Sequence, residues 1–459
     1  MFSRVLLVEV CLAAVIMTGA ATAQPLGMPE DRGDRSDLLV RLTHAEKAWR
    51  TEPGLESTME YATRLFEAGR FEQSRELLAP LLAGAERPLD AVHLAARLDY
   101  YMGNYASAEE LFGEAVAGNP ENVRAAMGVL MTHYQTNAYN LGAALSDEMF
   151  GGRPIPHLDV MRAMAGTEPY KVSWADGSLA EVPFLDIDPL PVVEVTIDGR
   201  RIFVIIDTGA DMFILDTEIA EEMGMETVAT MQAMFAGGMQ GELGFGVAES
   251  LTLGGVTLHN VPVSMLPTKP LSLTDRTIGG IIGVGVLKQF LSTMDYPGNR
   301  LVLRERSDAA VEAFRSAEAD GIVDDVPFYL SSTHFLLVHG SLNEYTDLMF
   351  HVDSGLAGTP AFAATQELLE YASIPIPEIE VRDDVIGGGG GGFAVGEFEI
   401  TELGLGSLVG HDLVGSYGGQ PPGSYWMAGF IIDGLISHNF LRDYAWTLDF
   451  DGMRMIFSQ

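Results

Sequence analysis

The second half of this chain repeats itself, and the repeat limits the folds open to it. Asp207-Thr208-Gly209 and Asp353-Ser354-Gly355 each close an apolar, strand-like run: Ile202-Phe203-Val204-Ile205-Ile206 in one case, Leu348-Met349-Phe350-His351-Val352 in the other. Val182-Pro183-Phe184 recurs 144 residues later as Val326-Pro327-Phe328, and the two aspartates are 146 apart. Leu251-Thr252-Leu253-Gly254 with His259 matches Leu403-Gly404-Leu405-Gly406 with His411 at an offset of 152. Gly280-Ile281-Ile282-Gly283 with Val286-Leu287 matches Gly434-Leu435-Ile436-Ser437 with Phe440-Leu441 at 154, as Asp295, Gly298 and Arg300 match Asp449, Gly452 and Arg454. Conserved order and near-constant spacing over so many points indicate an internal duplication. The period is too long for a solenoid and predicts two similar lobes.

Each copy has β character. Val193-Glu194-Val195-Thr196-Ile197 alternates, Asp198-Gly199 turns, and the apolar run leads into Asp207. Phe335-Leu336-Leu337-Val338 and the run before Asp353 repeat this around Asn343. Glycines crowd the middle of each copy, Gly237-Gly238 to Gly246 and Gly387 to Gly392. No helix start and no Lys-Ser/Thr follows the six-glycine run, so it is not read as a phosphate cradle. Glycine there predicts a hairpin with the backbone freedom to open and close. A single Asp in a strand-end turn usually only accepts backbone hydrogen bonds. Two brought face to face cannot both ionise, so one keeps a proton and the other stays charged. An acid and a base in one site suffice to split an amide with water.

From Val182 to the C-terminus these residues resemble the pepsin and retroviral-protease group of aspartic peptidases. The resemblance implies a mainly β, two-lobed fold in which Asp207 and Asp353 hold a nucleophilic water. It casts Thr208 and Ser354 as the hydroxyls that tie the two loops together, beside Gly209 and Gly355. Gly237, Gly238, Gly387 and Gly392 become flap candidates. Lobes without cysteine look closer to bacterial retropepsin-like proteins than to disulfide-bearing pepsins. The chain departs from the pattern at Leu356, where a small or hydroxyl residue is usual, and at Ser437, which replaces a glycine. The first flap candidate has Phe235 and Phe245 but no tyrosine. Leu356 and Ser437 suit a second reading, a catalytically degenerate binding protein that holds peptides between its lobes. The two aspartates and their hydroxyl neighbours favour an endopeptidase. A third reading makes the β half structural in a repeat adaptor, which gives no reason for a symmetric carboxylate pair.

The N-terminus has the marks of an export signal: Arg4, a mostly apolar stretch from Val5 to Met17 interrupted by Glu9, then Ala21-Thr22-Ala23 before Gln24. Cleavage after Ala23 removes the single cysteine, Cys11, and predicts a periplasmic or secreted chain. The alternative is an uncleaved inner-membrane anchor, for which the run is short. From Leu55 to Pro154 the periodicity is helical. Gly69, Gly103 and Asn137 are 34 residues apart, as are Phe71, Tyr105 and Tyr139, and Phe66, Tyr100 and Tyr134. That period, with Ala108, Phe112, Ala115 and Pro120 in the middle unit, resembles tetratricopeptide repeats, stacked helical hairpins. Such repeats serve as a bare scaffold or as a groove for a peptide or protein partner, and both readings stay open.

The expected order is therefore a signal peptide (1–23), an N-terminal segment with a first helix (24–54), all-α repeats (55–156), a linker (157–181), lobe one (182–305), a helical connection (306–325) and lobe two (326–459). The duplicated half carries both aspartates, so a chain beginning near Glu181 is expected to fold alone. A net charge of −37 argues against nucleic acid, for which a basic stripe is needed. The ten histidines show no metal-ligand spacing, and no Gly-x-Ser-x-Gly elbow offers a serine nucleophile. The implied substrate is a peptide or protein, with no cofactor.

Overall fold

The computed structural model describes residues 7–9, 34–150, 155–234, 240–268, 271, 276–382, 385–387, 393–418, 424–426 and 428–459. The expected leader lies outside these residues, save for Leu7–Glu9, which pairs parallel with Val385–Gly387. The architecture follows the expected order: an all-helical region, then a mainly β region of two lobes.

Eight helices, Arg35–Thr51 (α1), Leu55–Glu67 (α2), Phe71–Leu82 (α3), Leu89–Tyr101 (α4), Tyr105–Gly118 (α5), Val123–Gln135 (α6), Tyr139–Phe150 (α7) and Pro156–Ala163 (α8), each pack on the next. The 34-residue period has a physical cause at the ends of α2, α4 and α6. Gly69, Gly103 and Asn137 take φ of +75°, +76° and +57°, the left-handed conformation that reverses a helix end. The amides of the next residues, Arg70, Asn104 and Ala138, then bond the carbonyls of Leu65, Asp99 and His133 at 2.9, 2.8 and 2.8 Å. Across each reversal the same ring pair meets: Phe66–Phe71, Tyr100–Tyr105 and Tyr134–Tyr139, with centroids 5.6, 5.7 and 5.5 Å apart. One helical hairpin is used three times.

The lobes share a sheet. Strands Leu179–Pro183, Arg300–Glu305 and Phe290–Asp295 continue antiparallel into Ala445–Asp449, Arg454–Ser458 and Ile322–Ser331. At the junction Thr293 faces Thr447, 154 residues on, so the pseudo-two-fold axis relating the lobes passes between them. In lobe one, Arg200–Ile206 pairs parallel with Ile278–Ile282, which pairs antiparallel with Phe213–Leu215. In lobe two, Tyr345–Asp353, Gly434–Ser437 and Phe362–Ala364 repeat the arrangement. Residues 157–181, expected as a linker, carry α8 and the strand Lys171–Trp174, which edges the lobe-one sheet against Val256–Met265.

Strand alternation decides what each face meets. Ile202, Val204 and Ile206 enter the main β core, as do Leu348, Phe350 and Val352 in lobe two. The opposite faces meet the helices. Leu190, Val192, Ile205 and Met212 pack with Leu130, Tyr134, Leu158 and Met161 of α6 and α8. Phe335, Leu337 and Met349 pack with Phe66, Phe71, Leu94 and Phe112. Buried ion pairing adds to this. Arg35 Nε of α1 donates to Asp433 Oδ1 at 2.9 Å, and Asp433 Oδ2 accepts the Met349 amide at 2.8 Å. Without the helices, two apolar faces and a buried carboxylate would lose their cover, which argues against the expectation that the β half stands alone.

Candidate active site

Asp207 and Asp353 end their strands at the same place in each lobe, and the hydrogen bonds around them are reciprocal. The Thr208 amide donates to Ser354 Oγ at 3.0 Å, and the Ser354 amide donates to Thr208 Oγ1 at 3.0 Å. Thr208 Oγ1 donates to the Val352 carbonyl at 2.7 Å, and Ser354 Oγ to that of Ile206 at 3.3 Å. Each hydroxyl accepts from the opposite loop and donates to the strand that leads into that same loop, which locks the two loops together. The Gly209 amide donates to Asp207 Oδ1 at 2.6 Å and the Gly355 amide to Asp353 Oδ1 at 2.9 Å. Neither glycine is replaceable. A Cβ on Gly209 would lie 2.9 Å from Asp353 Oδ1, and one on Gly355 would collide with the Asp207 carboxyl group.

Both aspartates are fully buried. Burial first, then the adjacent Asp353 carboxylate, raise Asp207 well above the ordinary carboxyl range, against the opposing amide bonds of Gly209 and Gly355. The pair can hold one proton between two carboxylates, which is the equipment expected of an acid and a base acting on one water.

The two departures from the repeat are accommodated without moving the pair. Phe213 lies six positions after Asp207, but Phe362 lies nine after Asp353. The longer loop houses Leu356, which is fully buried beside Ala357. The backbone pattern survives: Val284 donates to the Ala210 carbonyl at 2.9 Å and His438 to that of Leu356 at 3.1 Å. Gly283 has no room for a side chain, since a Cβ there would lie 2.6 Å from the Ala210 carbonyl oxygen. Ser437 has that room, and its Oγ donates to the Pro360 carbonyl at 2.6 Å while accepting from the Asn439 amide.

Of the flap candidates, Gly237, Gly238 and Gly392 lie outside the described residues, as does Phe235. Gly387 ends the short strand Val385–Gly387. Phe245 lies on strand Gln240–Leu253 of the lobe-one hairpin, buried, with its ring 5.8 Å from that of His157 in α8.

A buried polar group beside the first loop had no signal in the sequence, because its members come from three regions. Asp211 accepts from His157 Nε2 at 2.9 Å and from Tyr134 OH at 3.2 Å. Burial raises its carboxyl group, but the bond and charge of His157, with the charges of His334 and Lys288, outweigh that and hold it below its usual value. Lys288 Nζ donates to Gln135 Oε1 at 2.9 Å, and burial lowers its ammonium to about 8. Gln135 in turn donates to the Thr333 carbonyl at 2.9 Å. His351 is packed rather than exposed, edge-on to Phe335 at 4.8 Å, and burial lowers it to about 3. Among the described residues no cluster of side chains could hold a metal ion.

Residues 193–286 match the family model described as aspartyl protease. A crystal structure of a retropepsin-like aspartic protease from Rickettsia conorii is 16% identical over 30% of this chain and 94% of that one, with a TM-score of 0.21. No curated protein matches the sequence. The middle of the chain, residues 193–286, is thus a domain of the aspartyl protease family.

Proposed function

We propose that the chain is an exported aspartic endopeptidase whose dyad is Asp207 and Asp353. The observation that carries this reading is the reciprocal bracing of Thr208 and Ser354, which brings two carboxylates from separate lobes together on the pseudo-two-fold axis. With Asp207 holding the shared proton, Asp353 takes a proton from the bound water as its oxygen attacks the scissile carbonyl carbon. Asp207 gives its proton to the carbonyl oxygen. The tetrahedral diol collapses: one of its hydroxyls returns a proton to Asp207 as the C–N bond breaks, and the amine leaves with the proton from Asp353. The reading invokes no metal or cofactor. Export rests on the N-terminal pattern and places the chain in the periplasm or outside the cell. The hairpin period supports tetratricopeptide-like repeats, as a scaffold or as a surface for a protein partner.

The test is incubation with a diverse peptide library from pH 3 to 8, cleavage being read by mass spectrometry. Asp207→Asn and Asp353→Asn should each lower turnover by at least ~1000-fold, because members of a unit are not additive. Peptide capture without cleavage would favour the degenerate binding protein instead.

A further inference from the structure

We infer that the helical region is a built-in cap on the dyad, so that a peptide reaches Asp207 and Asp353 only after the helices lift from the lobes, α6–α8 from the lobe-one side and α2–α3 from the lobe-two side. The inference rests on the peptidase reading for its consequence, but its geometry is independent of it. Along Arg200–Ile206 and into Asp207, alternation sets Asp207 on the face of Ile205 and Phe203, not on that of Val204 and Ile206. Val204 and Ile206 enter the β core, whereas Ile205 and the adjoining Ala210 pack with Leu130, Tyr134, Tyr139, Leu158 and Met161 of the helices. Lobe two repeats this. Asp353 shares its face with His351 and Met349, and Met349 packs with Phe66 and Phe71. The carboxylate-bearing side of both strands is therefore the side the helices cover, and the shared six-strand sheet lies away from it. Both aspartates have 0% exposure, so neither carboxylate meets solvent in this arrangement.

Polar contacts hold the cap over the first loop. His157 Nε2 and Tyr134 OH bond Asp211, four residues past Asp207, and α8 packs on the lobe-one hairpin through the His157–Phe245 ring contact. Gln135 spans from Lys288 of lobe one to the Thr333 carbonyl of lobe two. A region that bridges both lobes across the axis resists their parting as well as blocking entry between them.

The intact chain and a His157→Ala/Tyr134→Ala variant are treated with an epoxide that esterifies active-site carboxylates, and the labelled aspartate is mapped by mass spectrometry. Peptide cleavage is followed in parallel. The cap predicts labelling of Asp207 or Asp353 about tenfold or more faster in the variant, since buried hydrogen bonds to a charged group are lost. Equal rates in the two chains would overturn it. Faster labelling without any cleavage would leave the cap standing and remove the peptidase reading. A variant too unstable to use leaves hydrogen exchange of the intact chain in urea below its unfolding midpoint. The Gly209 and Gly355 amides should then exchange in step with α6–α8, and exchange faster than those helices would sink the cap.

Discussion

Thr293 and Thr447 meet hydroxyl to hydroxyl, Oγ1 to Oγ1 at 2.7 Å, across the middle of the sheet shared by the lobes. They are equivalent positions of the repeat, although Thr293 Oγ1 also accepts from Arg304 Nη1 at 2.7 Å, and the position equivalent to Arg304 is Ser458. The same axis runs between Thr208 and Ser354 and between the two carboxylates. Duplication thus has a chemical consequence here. A group placed near the axis meets its own copy, and like carboxylates at that spacing must share a proton.

That shared proton has a thermodynamic signature. A carboxyl group raised in the folded state costs nothing below its unfolded value of 3.8 and destabilises the fold progressively as pH rises above it. Asp207→Asn should therefore raise the melting temperature relative to the parent at pH 7. The gain should shrink toward zero as pH is lowered to 3.8. A gain independent of pH would remove Asp207 as the holder of the proton.

Much of this was legible in the sequence because it is periodic. The offsets located both aspartates, both hydroxyls and the two equivalent parallel strands, and the 34-residue spacing of Gly69, Gly103 and Asn137 marked three helix ends. What was not legible depends on single long-range contacts. Nothing around Arg35 announces Asp433, 398 residues away, and nothing around His157 announces Asp211. The apolar residues beside the dyad read as ordinary strand alternation, and only folding shows that their outer face is covered by helices. Leu356 and Ser437 read as signs of decay, because a three-residue difference in loop length does not say where the extra space goes.

Acid should be harmful to this fold. Burial lowers the imidazoles of His334 and His351 to about 4 and about 3, against an ordinary value of 6.5. Groups depressed in this way contribute stability that is complete above 6.5 and lost as pH falls toward those values. Thermal melts should show a falling midpoint between pH 6.5 and 4. His351→Leu should flatten that fall by on the order of 2–3 kcal/mol at pH 4. An equally steep fall in the variant would show that other groups set the acid limit.

Gly283 and Ser437 are equivalent in the repeat but not interchangeable. Gly283→Ser drives a side chain into the Ala210 carbonyl and should cost more than ~3 kcal/mol, near the upper end for a backbone clash. Ser437→Gly removes one hydroxyl that both donates and accepts, and should cost about 1 kcal/mol. Urea melts of the two variants check the ordering, and similar costs would mean that the two loops relax alike.

Arg35 tests the dependence of the lobes on the helices. Arg35→Met leaves Asp433 buried without its guanidinium and should destabilise the fold by roughly 3–5 kcal/mol. Arg35→Met with Asp433→Asn should recover part of that loss. A chain beginning at Glu181 lacks α1 to α8 altogether and should express as insoluble or partly folded material. A soluble, cooperative melt from that shortened chain would show that the helices only decorate the lobes.

Leu356 separates adaptation from decay in the second half-site. Its side chain is fully buried, and its amide and carbonyl repeat the pattern of Ala210: Leu356 donates to the Asp353 carbonyl at 3.4 Å, as Ala210 does to that of Asp207 at 3.2 Å. The longer loop, not a shifted Asp353, makes the space it fills. Leu356→Ala should therefore open a cavity and cost ~2–4 kcal/mol. Peptide turnover should stay level or fall, because nothing about the dyad is relieved. If Leu356 instead held Asp353 out of line, the smaller side chain would raise turnover above that of the parent. Measuring stability and cleavage on this one variant distinguishes the two, and only a fall in stability without a gain in rate fits a half-site built around leucine.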